Sequence, residues 1–244
     1  EKMIELGIDS LPFGYFQSFN LDVNTFPDSC KVAISGKTLR TGIDYVVMPF
    51  SNGNCINNQC DEIVKYNIVR KTGKEVLTEP KKIINEIKAG HILVVDNTGY
   101  SRDSALQIQG YLKELCQLGI PIAEIVNQKF TWSLSPYQTS EVYIQIKTSI
   151  LNAKDSTIDI VLRSNLIYNY QSRNVIGSIP AKKKPKGTIM LTAHYDHLGR
   201  MGSATYFPGA NDNASGVAML LQLGHMIRNR PLRKYDVILS LIHI

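Results

Sequence analysis

Three residues in the C-terminal third of the chain have types and spacing that suit metal chemistry: His194, Asp196 and Asp212. His194 stands where the apolar run GTIMLTAH gives way to polar residues, and in an open α/β sheet ligands collect at the carboxyl ends of the strands. Asp196 is two residues on, so while the chain stays extended both side chains point to the same face. A carboxylate so placed can bond the imidazole nitrogen turned away from a metal, which fixes the tautomer and raises the basicity of the ligating nitrogen. His-x-Asp alone is a weak signal. Asp212 strengthens it, because it lies 18 residues after His194 in a loop that feeds a helix N-terminus. Backbone N–H groups and the helix dipole there favour an ionised carboxylate. Gly209, Asn211, Asn213 and Gly216 flank Asp212 and permit the tight backbone that aims a short side chain at a fixed point. An anionic aspartate beside a neutral histidine suits a zinc ion.

The elements that must position these residues follow from apolar periodicity. GTIMLTAHYDHLG is a strongly apolar strand ending in polar residues, and YDVILSLI is a second buried strand. Between them GANDNASG opens a helix with Val217, Leu220, Leu221 and Gly224 at i, i+3, i+4 and i+7. Two apolar strands flanking a helix predict an α/β sheet covered on both faces. Upstream, NVIGSIP predicts a short strand leaving Asn174.

From about Asn20 to Ile167 the character differs: short β-rich runs alternate with Gly, Asn and Pro turns, as at Lys31–Ile34, Tyr45–Met48, Val142–Ile146 and Thr157–Leu162. One β-α-β unit stands out, with the strand HILVVD, a helix over about Asp103–Gln117 and the strand PIAEIV. Ile108, Tyr111, Leu112 and Leu115 share one side of that helix, and a crossover of this length implies two parallel strands. His91 is alone on its strand and reads as structural or exposed. His197 projects to the face opposite His194 and reads as a bystander.

The chain has 244 residues, a net charge of +6 and 43% hydrophobic residues, the composition of a soluble globular protein of one or two domains. Much of the positive excess is the loop Lys182, Lys183, Lys184 and Lys186, with no aromatic residues interleaved, so no nucleic-acid partner is indicated. No apolar run approaches the ~18–20 residues of a membrane span. Cys55 and Cys60 lack the second Cys/His pair a structural zinc site needs, leaving a local disulfide or two loop thiols. Cys116 reads as a core residue.

TAHYDHLG followed by FPGANDNASGVAML closely resembles the co-catalytic zinc aminopeptidases and their relatives, the bacterial leucyl aminopeptidase and glutamate carboxypeptidase type, metallopeptidase family twenty-eight. NVIG fits the family's first catalytic-domain strand. The resemblance implies a zinc-peptidase α/β/α sandwich, truncated, with an inserted β-rich protease-associated domain carried by AGHILVVD–helix–PIAEIVN. On that reading residues 1–20 are a remnant of the first catalytic helix and its connection, with EKMIELGI as a helix tail. Residues 21–166 are the insert, and 167–244 are the N-terminal part of the peptidase domain. His194 is then a ligand of one zinc, Asp212 the carboxylate bridging two Zn²⁺ ions, and Asp196 the catalytic-site carboxylate that orients His194. The Asp212–Asn213 bond matches a cis peptide of the family.

The implied function is a zinc-dependent exopeptidase, an aminopeptidase acting on peptide substrates in an exported protein. No signal peptide is visible in a chain that opens at Glu1, and nothing speaks to an oligomeric state. The family's Glu-Glu pair, its further acidic ligand and its second histidine have no match here, and His243 matches none of these positions. The chain is therefore expected to be a fragment that binds zinc poorly and hydrolyses nothing. The alternatives are a non-catalytic receptor-like relative, which the joint presence of His194, Asp196 and Asp212 disfavours, and a one-zinc glutaminyl cyclase-like aminoacyltransferase.

Overall fold

The computed structural model of the chain describes residues 1–28, 30–54, 63–232 and 234–243. Helix α1 (Lys2–Glu5) and strand β1 (Phe16–Thr25) come first, followed by β2 (Cys30–Ile34), β3 (Lys37–Thr38), β4 (Tyr45–Val47) and β5 (Val64–Thr72). Helices α2 (Gly73–Thr78) and α3 (Pro80–Glu86) lead into β6 (His91–Asp96), α4 (Arg102–Gln117), β7 (Ile122–Val126), β8 (Tyr143–Lys147) and β9 (Thr157–Leu162). The remainder is β10 (Asn165–Ile179), β11 (Gly187–His194), the paired strands β12 (Gly199–Met201) and β13 (Thr205–Phe207), helix α5 (Ser215–Asn229) and β14 (Tyr235–Ile242). These elements form two compact units, the first of Glu1–Leu21, Asn169–Gly199 and Phe207–Ile244, the second of Asp22–Tyr168 and Arg200–Tyr206. Among the described residues no helix is long and apolar enough to cross a membrane. Cys55 and Cys60 lie outside the described residues.

The second unit is built on a sheet of order β3-β2-β9-β5-β6-β7-β8-β4. Strands β5, β6, β7 and β8 run parallel, and the apolar runs of β6, β7 and β8 are buried as central parallel strands must be. Ser101 begins α4 by accepting a hydrogen bond from the Ser104 amide, and α4 then buries Ile108, Leu112, Leu115 and Cys116. Together with Val76 and Ile83 these residues cover Leu93, Val95, Ile122 and Tyr143 of the sheet. Tyr111 departs from the expected stripe and is exposed, because Cys116 continues the apolar face and leaves Tyr111 on its rim.

Burial pushes the Cys116 thiol up to about 12, against which its contacts with Thr139 and the Glu141 carbonyl work only weakly. Burial likewise lifts Cys30 to about 12. At pH 8 about one such thiol in ten thousand is ionised, and the thiolate is the reactive form. Neither cysteine is expected to react with iodoacetamide in the folded protein, while both react in urea. Peptide mapping that found native labelling at Cys116 would contradict this packing.

The first unit holds a mixed sheet of order β1-β10-β14-β11. Strand β14 is central, antiparallel to β10 and parallel to β11. Helix α5 covers one face through Val217 and Leu220, which pack with Met3, Ile8, Ala193, Val237 and Leu239. Two expectations are corrected here. The strand through Asn174 is the end of the 15-residue β10, whose exposed first half carries too little apolar alternation to be visible in sequence. Strand β11 is not covered on both faces: it is an edge strand, with Ile189 39% and Met190 59% exposed. Its apolar residues were read as a sign of double burial, but only Leu191 and Ala193 reach the core.

An apolar edge strand offers unpaired backbone groups to other chains. Replacing Met190 by lysine is therefore expected to reduce self-association and binding of a hydrophobic dye without loss of folded secondary structure. Sedimentation of wild type and M190K at matched concentration checks it. Equal association states would show that β11 is not the adhesive edge.

Candidate metal centre

Parallel pairing of β11 with β14 sets the site. The register runs from Gly187↔Tyr235 to His194↔Ile242, so both strands end at the same level of the sheet. The Tyr195 amide continues the ladder by donating to the Ile242 carbonyl at 3.0 Å. His194 closes β11 and is largely buried. Its Nδ1 faces the Asp196 backbone carbonyl at 3.0 Å, with Asp196 Oδ1 further off at 3.6 Å. Its Nε2 lies 3.0 Å from Asp212 Oδ1.

Asp212 reaches this position from a wide helical turn over Ala210–Ala214 that precedes α5, within which Asp212 and Asn213 leave helical geometry. The Asp212–Asn213 peptide is cis. Asn213 fastens the turn at both ends: its Nδ2 donates to the His194 carbonyl at 3.4 Å, and its Oδ1 accepts from the Gly216 amide at 3.1 Å. The second of these contacts is what a helix-capping side chain makes. The His194 and Asp196 side chains are 20% and 16% exposed, whereas that of Asp212 is 73% exposed.

The structure thus brings the three predicted residues together and adds Asn213, read from sequence only as a flanking residue, and His243, which the sequence reading set aside. Asn213 carried a local signal, a helix-start residue three positions before Gly216. His243 carried none. Register alone places it beside Asp196, with His243 Nδ1 3.1 Å from Asp196 Oδ2. His197 is held elsewhere, its Nδ1 2.8 Å from the Phe207 carbonyl. His91 Nδ1 contacts the Lys88 carbonyl at 3.2 Å in the second unit.

The donor set can be tested for a metal on its own geometry. Two donors held about 2.0–2.2 Å from a tetrahedral zinc ion lie about 3.3 Å apart. The 3.0 Å separation of His194 Nε2 and Asp212 Oδ1 is close to that, and His194 turns its other nitrogen onto residue 196. The pair fits zinc as part of a larger set. Among the described residues, no group of three or more His, Cys, Asp or Glu residues is gathered as a metal ion would require.

Comparison with known proteins shows what the chain is similar to. Residues 174–243 match the model of Peptidase family M28. The aminopeptidase YwaD of Bacillus subtilis (strain 168) is 33% identical over 78 residues, 30% of this chain and 15% of that protein. BSAP, a zinc aminopeptidase from Bacillus subtilis, shares the fold with a TM-score of 0.61 at 18% identity, over 99% of this chain and 52% of that one. An aminopeptidase from Aneurinibacillus sp. strain AM-1 gives 0.55 at 15% identity, over 99% of this chain and 54% of its own. A peptidase M28 precursor from Shewanella amazonensis SB2B gives 0.61 at 18% identity, over 98% and 56%. The chain spans about half the length of these solved relatives.

Proposed function

We propose that the chain is part of a zinc-dependent exopeptidase, an aminopeptidase using two zinc ions to remove N-terminal residues from peptides. The observation that carries this reading is the convergence of His194 Nε2 and Asp212 Oδ1 at the carboxyl end of a parallel strand pair, in a segment that matches the model of Peptidase family M28. His194 and Asp212 would hold the metal, with Asp212 shared between the two ions. Bound zinc would supply Lewis acidity toward a peptide carbonyl and lower the pKa of bound water. Asp196 orients His194: its backbone carbonyl and carboxylate both face Nδ1, which leaves Nε2 for the metal. The presence of all three residues supports the peptidase over a receptor-like relative. The unit spanning Asp22–Tyr168 is read as a protease-associated-like insert.

Two converged donors hold zinc weakly. Calorimetry is expected to show Zn²⁺ binding to this chain no tighter than about 10 µM, lost in H194A and in D212A. Two tight sites would refute the donor count, and unchanged binding in H194A would refute the ligand assignment. Substrate class is tested on the natural protein containing this sequence, with aminoacyl p-nitroanilides beside N-blocked peptides. Zinc-dependent turnover confined to free-amine substrates is expected. Hydrolysis of N-blocked peptides from their carboxyl ends would assign a carboxypeptidase instead.

A further inference from the structure

We propose that His197 is a positioning residue that closes the base of the loop between Asp196 and Asp212, and so sets the separation of His194 and Asp212. This rests on the reading of those two residues as the metal pair. The loop leaves β11 after His194 and returns through β13 to Gly209. Its tip, Arg200–Tyr206, is built into the second unit. Met201 is buried there with its sulfur accepting from the Val47 amide at 3.4 Å, and the Gly202 amide donates to the Phe26 carbonyl at 2.9 Å. Gly202 has φ +65, and a Cβ on it would stand 2.9 Å from that of Cys30, so this turn needs glycine. Thr205 Oγ1 adds a contact to the Thr41 carbonyl at 3.4 Å.

Anchoring the tip does not fix the distance between the loop's two ends. That requires a contact across the base, and His197 makes it. Its Nδ1 donates to the Phe207 carbonyl at 2.8 Å, joining the residue just after Asp196 to the residue that ends β13. Its ring also fills the space over Gly209, where a Cβ would lie 2.7 Å from His197 Cγ. Gly209 in turn accepts from the Ala214 amide at 2.9 Å, across the turn that carries Asp212. The Nδ1 bond and the chain from Phe207 through Gly209 therefore link His197 to the turn of Asp212 without passing through the tip, with the ring packed against that link. The side chain that points away from the metal side holds the metal side in register.

The test separates the donor from the ring. H197F keeps an aromatic ring against Gly209 and loses the donor; H197N keeps a donor near the Nδ1 position and loses the ring. In H197F, hydrogen–deuterium exchange over residues 207–214 is expected to rise at least tenfold, the ¹⁵N shift of His194 Nε2 to move, and Zn²⁺ affinity to fall about tenfold. H197N is expected to restore all three. Unchanged exchange and unchanged His194 shift in H197F would overturn the proposal, as would faster exchange with the His194 shift and Zn²⁺ affinity intact. If the wild-type chain binds no zinc, the reading of His194 and Asp212 as this chain's metal pair fails alone, and the metal-free His194 shift still decides the role of His197.

Discussion

Replacing Glu124 by alanine is expected to destabilise the second unit by about 3–5 kcal/mol. Glu124 sits mid-strand in β7, whose other residues are all apolar, and only 1% of its surface is exposed. Its carboxyl accepts from Tyr143 OH at 2.8 Å, Gln145 Nε2 at 2.8 Å, Asn97 Nδ2 at 2.7 Å and Gln109 Nε2 at 3.3 Å. Alanine removes the acceptor and leaves the donors behind. Gln109 can turn toward water, but Tyr143 and Gln145 cannot, and each stranded donor costs about 1–3 kcal/mol. The Tyr143 phenol is itself held well above its ordinary pKa, by burial first and by the Glu124 carboxyl second, so it remains a donor across the working range. Glutamine at 124 keeps one acceptor oxygen and is expected to lose about half as much. Trp132 is the chain's single tryptophan, buried in this unit with its Nε1 donating to the Val47 carbonyl at 2.7 Å. Its fluorescence during urea unfolding therefore reports this unit alone. A midpoint in E124A within about 0.5 kcal/mol of wild type would show that the network is not a determinant of stability.

Gly209→Ala is expected to act on the site rather than on the core. A Cβ at this position would fall on the backbone carbonyl oxygen of Asp212 and lie 2.7–2.8 Å from two His197 atoms. The first of these is main chain and cannot swing aside as a flexible side chain could. The turn between residues 209 and 214 must open, and Asp212 moves with it. A shift of about 1 Å in one of two donors is enough to lose most of their joint hold on a metal. Zn²⁺ affinity in G209A is expected to fall at least tenfold, about 1.4 kcal/mol, with the Trp132 unfolding midpoint unmoved. Calorimetry and fluorescence on one preparation check both parts. Wild-type affinity in G209A would mean that the turn relaxes without displacing Asp212.

Local pattern was enough to find the strands β6, β7, β9 and β11, the helices α4 and α5, and the parallel crossover between β6 and β7. It was enough because those segments carry apolar residues at the spacing their own backbone imposes, a property of a few consecutive residues. The same holds for His194, Asp196 and Asp212: a strand end and a helix start are local events, and each residue's type suits the place it occupies. What the pattern could not reveal depends on pairing between distant segments. The edge position of β11, and hence the exposure of Met190, follows from a strand order of β1-β10-β14-β11 that no single strand encodes. The first half of β10 is a strand through its place beside β1, with little apolar alternation to announce it. His243 meets Asp196 because residues 48 apart stand level in a parallel ladder, His194 beside Ile242. His197 looked idle because its side chain leaves the face that His194 uses, yet its partner, the Phe207 carbonyl, is brought back by a loop whose tip packs elsewhere. Residue type and spacing singled out three side chains that the fold gathers at one strand end. Register and loop closure, which arise only when remote segments pair, decided how its side chains are held.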